Sequence, residues 1–153
     1  MLTSHRSRTR LLAAAGLLLA AASPAWALDY RSTARPALLY DAPSTAANKV
    51  AAAGGDVPFE VVIDTENWVK VRDYTGRLAW IEKAALGGPH SVIVKAESAT
   101  VRKQPRADAD AVFRAARGVL LVVTAPPDAS GWLPVKHADG LAGWIAAGDV
   151  WGR

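Results

Sequence analysis

The chain has 153 residues, and its 18 lysines and arginines against 14 aspartates and glutamates give a formal net charge of +4. Three of the arginines lie in the first ten residues, so residues 28–153 keep 15 of the 18 basic residues beside all 14 acidic ones. Such a nearly neutral chain lacks the basic surface by which proteins bind nucleic acid, so we expect no nucleic-acid partner. The absence of cysteine excludes disulfides, thiol nucleophiles and cysteine-ligated metals.

The N-terminal segment has the three parts of a secretory signal peptide. Three arginines are followed by an unbroken apolar run at residues 11–22 and then by Ser23-Pro24-Ala25-Trp26-Ala27. This order predicts a signal peptide at residues 1–27, cleaved after Ala27. The apolar run has 12 residues, whereas a membrane span needs about 20. We therefore expect an exported protein, periplasmic or extracellular, with no stable membrane span after cleavage.

Residues 28–153 contain two copies of one small unit. Trp68 and Trp80 are 12 residues apart, Trp132 and Trp144 are also 12 apart, and the second pair follows the first by 64 residues. The flanking sequences correspond in the same order, with 39–43 matching 101–105 and 79–81 matching 143–145. Gly87-Gly88-Pro89 marks the boundary, so we predict units at 28–87 and 88–153, each of about 60 residues.

Each unit is predicted to consist of short strands separated by turns. The strands are expected at 37–40, 57–63, 68–72 and 77–81, and then at 92–95, 100–102, 119–124, 132–136 and 141–145. Residues 73–76 and 137–140 have the composition of hairpin loops. The alanine-rich segment 46–53 is interpreted as a loop or a single helical turn. No long segment has a helical period, so the predicted class is all-β. Small barrels are expected because closure removes exposed strand edges.

Alternation along the strands predicts which side chains leave the core. In the strand 68–72, Val69 and Val71 share an aliphatic face, and the other three side chains point outward. The same argument turns Trp80, Trp132 and Trp144 away from their aliphatic neighbours. Trp68 and Trp132 are the better candidates for ligand recognition, whereas Trp80 and Trp144 are also interpreted as packing residues at the rim. The remaining candidates for ligand binding are Lys70, Arg72, Tyr40 and Tyr74, with both tyrosines expected to join Trp68 and Trp80.

The second copy resembles the bacterial SH3-like (SH3b) family. The resemblance rests on Val101-Arg102-Lys103-Gln104-Pro105, Gly118-Val119, Gly131-Trp132-Leu133-Pro134-Val135 and Gly143-Trp144-Ile145. The first copy departs from the pattern, with Tyr40 where arginine is usual and Ala79 in place of the glycine before Trp80. The resemblance covers nearly all of residues 30–151. It implies two tandem SH3-like β-barrels that bind peptidoglycan or envelope proteins without catalysis.

Two functions remain open at this level. The first is a binding protein that holds peptidoglycan or an envelope protein peptide in an aromatic groove. The second is a structural or assembly protein, whose outer tryptophans pack the two barrels together or against a partner. An enzyme is not expected, because the chain has no Gly-x-Ser-x-Gly and no His-Glu-x-x-His motif. No cofactor or metal is predicted, and Trp151 is expected to close the bottom of the second barrel.

Overall fold

The structure is a computed structural model that describes residues 28–127 and 129–153. The predicted signal peptide lies outside these residues, so its cleavage stays a prediction. Thirteen strands are present in the described residues. They are β1 (Tyr30–Ser32), β2 (Ala37–Tyr40), β3 (Lys49–Ala53), β4 (Pro58–Asp64), β5 (Trp68–Arg72), β6 (Leu78–Glu82), β7 (Ser91–Val94), β8 (Ser98–Arg102), β9 (Ala111–Ala116), β10 (Leu120–Val123), β11 (Trp132–Lys136), β12 (Ala142–Ala146) and β13 (Val150–Trp151). Two short 3-10 helices follow β6 and β12, at Lys83–Ala85 and Ala147–Asp149.

The strands form two antiparallel sheets, which confirms the all-β class. The first sheet has the order β1-β4-β5-β6-β2-β3, and the second has the order β13-β7-β10-β11-β12-β8-β9. Strands β5 and β6 of the first sheet correspond to β11 and β12 of the second. Within the described residues, no strand pairing joins the two ends of either sheet. The expectation of closed barrels is therefore corrected to two sheets whose end strands stay unpaired with each other.

Strand alternation is as the sequence predicts. Val69 and Val71 are fully buried in the first core, and Leu133 and Val135 are buried in the second. Trp68, on the opposite side of β5, is only half-buried. The two cores are separate clusters of aliphatic side chains, each with an additional phenylalanine in or against it. Each unit therefore has its own hydrophobic core and leaves its paired tryptophans outside it.

The interpretation of residues 46–53 as a loop or helical turn is wrong. Lys49–Ala53 forms β3, which pairs antiparallel with β2 from Ala37↔Ala53 to Tyr40↔Lys49. Alanine has a low intrinsic preference for strands, but pairing and packing against a neighbouring strand override that preference. Strands β1, β9 and β13 were also not predicted, because each is defined mainly by its partner strand rather than by a local pattern.

A first prediction concerns Gly143 in β12. A methyl group at this position would lie 2.5 Å from the carbonyl oxygen of Arg102 and 2.8 Å from Val101 Cγ1. We expect Gly143→Ala to lower the free energy of unfolding by about 1–3 kcal/mol, because β8 must move away. Chemical denaturation measures this change. Gly54→Ala is the control, since its added methyl group contacts nothing within 4 Å. Equal unfolding midpoints for both variants would contradict the close strand contact.

Candidate functional site

The outer side of the first sheet carries a compact group of aromatic rings, which we call the first-unit aromatic face: Tyr40, Trp68 and Trp80. Cross-strand pairing places Tyr40 opposite Trp80, and Trp80 opposite Lys70. These three side chains therefore form a row across three neighbouring strands. The rings of Tyr40 and Trp68 meet edge to face, with centroids 5.4 Å apart and planes at 89°. The structure thus brings together four of the predicted site residues.

The side chains at this face differ in burial and charge. Tyr40 is only 7% exposed and forms the floor, whereas Trp68 and Trp80 are half-buried. The ammonium group of Lys70 lies 5.9 Å from the Trp80 ring centroid, within the range of a cation–π interaction. Glu82 lines two shallow recesses, one of about 330 Å³ beside Tyr40 and one of about 500 Å³ beside Trp68. The face therefore combines fixed apolar rings with one cation and one carboxylate.

Two predicted site residues lie away from this face. The Arg72 guanidinium donates to both carboxylate oxygens of Glu60 at 3.0 Å, so it is already paired. Tyr74 lies in the loop after β5 and lines a separate cavity of about 240 Å³ with Phe59 and Ile93. Trp68 is at the opposite end of β5, and the strand rises about 13 Å over its length. This distance along the hairpin separates Tyr74 from the aromatic face.

The second sheet has no matching aromatic floor. Trp144 pairs with Pro134 on one side and Arg102 on the other, so Arg102 stands where Tyr40 stands in the first sheet. The Arg102 guanidinium donates to the carbonyl oxygen of Ala109 at 2.7 Å. Among the described residues, Trp132 has no ring contact like that between Tyr40 and Trp68. It lines a groove together with Trp151 and Tyr30. The two copies therefore place equivalent tryptophans in different surroundings.

The two units contact each other through residues near the two ends of the described chain. The Tyr30 and Trp151 rings meet edge to face, with centroids 5.0 Å apart and planes at 79°. Gly152 adjoins this contact with a φ of 101°, and a methyl group there would lie 3.2 Å from Pro58 Cβ and 3.1 Å from the Ser91 carbonyl oxygen. The expectation that Trp151 closes the bottom of the second barrel is therefore corrected: its ring packs on Tyr30 of the first unit.

Ion pairs fix the strand that carries Tyr30. Arg31 in β1 donates to Asp29 at 2.7 Å and to Asp64 at 2.8 Å, and Lys83 also donates to Asp64 at 2.7 Å. The hydrogen bonds from Lys83 and Arg31 hold the pKa of Asp64 below its usual value. Burial, with a smaller contribution from Glu60, raises the pKa of Tyr30. The phenol therefore stays neutral at physiological pH.

Comparison with known proteins identifies these two sheets. The model of the bacterial SH3 domain family matches residues 33–88 and again residues 95–152. The chain belongs to the bacterial SH3 domain family. No curated protein matches it. Among solved structures, it is similar to NlpC1 from Trichomonas vaginalis, with 14% identity and a TM-score of 0.37 over 92% of this chain and 51% of that one.

A second similar structure is NlpC2 from Trichomonas vaginalis, with 12% identity and a TM-score of 0.36 over 81% of this chain and 47% of that one. The chain thus spans about half the length of both proteins. No helix in residues 28–127 and 129–153 is long and apolar enough to cross a membrane. Nor do those residues contain a group of three or more histidines, aspartates or glutamates arranged to hold a metal ion.

Sequence reasoning missed the contact between the two SH3 domains. Tyr30 was not recognised as a site residue, and Trp151 was assigned to its own unit. The only available signal was position: Tyr30 lies near the start of the first unit and Trp151 near the end of the second. Both are outside the repeated motifs, so an alignment of the two copies does not connect them. Their contact depends on the placement of β1 and β13.

The contact between the domains gives a second prediction. We expect Gly152→Ala to separate Tyr30 from Trp151, because the new methyl group meets Pro58 and the positive φ disfavours alanine. Small-angle scattering should show a larger radius of gyration, and near-ultraviolet circular dichroism a weaker tryptophan signal. Gly148→Ala is the matched control, since nothing lies within 4 Å of its added methyl group. Identical scattering from both variants would show that the close packing at Gly152 is not required.

A third prediction concerns acid stability. Because its folded pKa is lowered, the Asp64 carboxylate stabilises the fold fully above the unfolded pKa of about 3.9 and loses this effect as the pH falls through the folded pKa. Asp64→Asn should therefore be less stable than the wild type at pH 7, and the difference should shrink below about pH 4. Urea unfolding at a series of pH values measures this. Asp110→Asn, in an exposed pair with Lys103, should show a smaller difference at pH 7.

Proposed function

We propose that the protein is an exported, non-enzymatic binding protein of the cell envelope that recognises peptidoglycan through its first-unit aromatic face. The observation that carries this proposal is the edge-to-face contact of Tyr40 and Trp68, beside the cross-strand row of Tyr40, Trp80 and Lys70. Membership of the bacterial SH3 domain family supports a binding role. A peptide of an envelope protein is the alternative ligand for the same aromatic face.

The aromatic face is suited to binding because its rings are already ordered. Tyr40 is buried, and its contact with Trp68 restricts both side chains before a ligand arrives. Less conformational entropy is then lost on binding, so more of the contact energy contributes to affinity. Aromatic side chains are also the residues most often responsible for the largest share of binding energy at interfaces. The face therefore provides an anchoring surface rather than a catalytic one.

The charges at the margin match a peptide that carries both signs. Neither Lys70 nor Glu82 has an ion-pair partner among residues 28–127 and 129–153. The stem peptides of peptidoglycan carry free carboxylates, and many also carry a free amine. A carboxylate would be placed near Lys70 and an amine near Glu82, with the aliphatic parts of the peptide on the rings. Such partly exposed pairs contribute more to orientation than to affinity.

A structural role is the second candidate, and the contact between the domains favours it. Tyr30 and Trp151 pack the two domains against each other, and a structural protein would use its aromatic residues in this way. In this alternative, the first-unit aromatic face contacts a protein partner instead of peptidoglycan. The sacculus experiment below separates the two candidates.

The fourth prediction tests recognition of peptidoglycan. The purified protein should sediment with purified sacculi, and Trp68→Ala and Trp80→Ala should each weaken binding by about 30-fold, which corresponds to the loss of about 2 kcal/mol typical of an anchoring tryptophan. Trp144→Ala is the matched control, because it removes the tryptophan at the same strand position of the second domain. It should bind within about twofold of the wild type, since Arg102 replaces the aromatic floor there.

Two outcomes would overturn this proposal. If the wild type does not sediment with sacculi, peptidoglycan is not the ligand. If it sediments and the Trp68 and Trp80 variants bind as the wild type does, the ligand is held elsewhere. Cooperative thermal unfolding of each variant must be measured in parallel, so that lost binding is not mistaken for lost structure.

A further inference from the structure

A groove of about 360 Å³ lies where the two domains meet, and we call it the junction groove. Its aromatic lining consists of Tyr30 from the first domain and of Trp132 and Trp151 from the second. It shares no residue with the first-unit aromatic face. Because Tyr30 and Trp151 hold each other edge to face, Tyr30 belongs to the lining only while the two domains are packed together. Neither domain has this lining alone.

Two basic side chains, Lys95 and Arg153, line the junction groove, and among residues 28–127 and 129–153 no aspartate or glutamate lines it. Of the 15 lysines and arginines in residues 28–127 and 129–153, seven are paired with carboxylates, Arg31, Arg72 and Lys83 among them. Lys95 and Arg153 belong to the eight that have no ion-pair partner within these residues. Two unpaired cations beside an apolar lining favour a ligand with a carboxylate.

We propose that the junction groove is a second binding site, and that its ligand is a saccharide carrying a carboxylate. One face of a pyranose ring presents mainly C–H groups, which pack on the electron-rich face of an aromatic ring. Trp132 is half-buried on the outer side of β11 and provides such a surface. The sugar hydroxyl groups stay in solvent, and the carboxylate lies between Lys95 and Arg153. A groove with an apolar lining and a few placed polar groups is the usual form of a small-ligand site.

The strands at the groove favour a saccharide over an extended peptide. A peptide that adds to a sheet edge gains affinity from a ladder of main-chain hydrogen bonds. The strand beside the groove is β13, which has only two residues, Val150 and Trp151, and β1 has only three. Edges this short provide few ladder hydrogen bonds. Recognition must therefore rest on the side chains, which are aromatic and basic.

The test compares two sugars that differ only in a lactyl ether group, which carries the carboxylate. N-acetylmuramic acid and N-acetylglucosamine share the ring and the acetamido group, and only the first carries a lactyl carboxylate. We expect N-acetylmuramic acid to shift the indole N–H resonances of Trp132 and Trp151 in NMR spectra of the purified protein. Its dissociation constant should be about tenfold lower than that of N-acetylglucosamine, the effect of one charge-assisted contact. Acetylated glutamate serves as the carboxylate without a sugar ring.

The variants separate the two parts of the site. Lys95→Gln combined with Arg153→Gln should bind both sugars equally weakly, because the carboxylate loses its partners while the rings remain. Trp132→Ala should bind neither sugar. Lys136→Gln is the matched control, since Lys136 is exposed on β11 and does not line the groove. The double charge variant keeps the test valid even if Trp132→Ala fails to fold.

Three results would overturn the inference. They are equal affinity for the two sugars, binding of acetylated glutamate as tight as that of N-acetylmuramic acid, and no shift of Trp132 or Trp151 up to the solubility limit of either sugar. The inference does not depend on the first-unit aromatic face, so the two proposals fail separately. Lost sacculus sedimentation with intact sugar binding overturns the proposed function alone, and the reverse result overturns this inference alone.

Discussion

In each domain, only one side of the central hairpin is buried. This constraint determines which side chains lie on the surface of the protein. Val69, Val71 and Ile81 are completely buried in the first core, and successive side chains of a strand point to opposite sides. Trp68, Lys70 and Trp80 therefore have no place except the outer side. The core does not need these side chains for its volume, so they are available for contacts with a ligand or a neighbouring domain.

The two domains use this same constraint for different purposes. In the first, Tyr40 completes an aromatic row with Trp80 and Lys70. In the second, the corresponding row consists of Arg102, Trp144 and Pro134. A guanidinium that donates to the Ala109 carbonyl oxygen supports the loop after β8 but gives no apolar floor. Duplication thus kept the hairpin and its core while the side chains on the outer side diverged.

Local patterns were enough to predict the elements that carry their own alternation. The strands at 68–72 and 132–136 coincide with β5 and β11, because buried valines or leucine alternate with larger or polar residues there. The strand β3 has no such pattern, since Ala51, Ala52 and Ala53 are equally small on both sides. Only pairing with β2 defines it as a strand, and pairing between distant residues cannot be deduced from composition.

Local patterns likewise predicted only part of the candidate site. Alternation correctly turned Trp68 and Trp80 outward, and Tyr40 was expected to join them, as it does. Tyr74 was expected to join them as well, but the length of the hairpin places it in a different cavity. The contact of Tyr30 with Trp151 was not predicted, because it joins residues more than 100 positions apart that belong to no shared motif.

The outer side of β5 connects the two surfaces that this structure presents. Arg72 pairs across the sheet with Glu60, and Glu60 with Tyr30, so this row reaches the contact between the domains. Lys70 and Trp68, on the same side of β5, belong to the aromatic face. The aromatic face and the junction groove therefore lie along one side of the first sheet. A polymer long enough to reach both would bind the second surface at a high effective concentration once the first is occupied. The packing of Gly152 against Pro58 then matters for binding, because it sets the distance between the two surfaces.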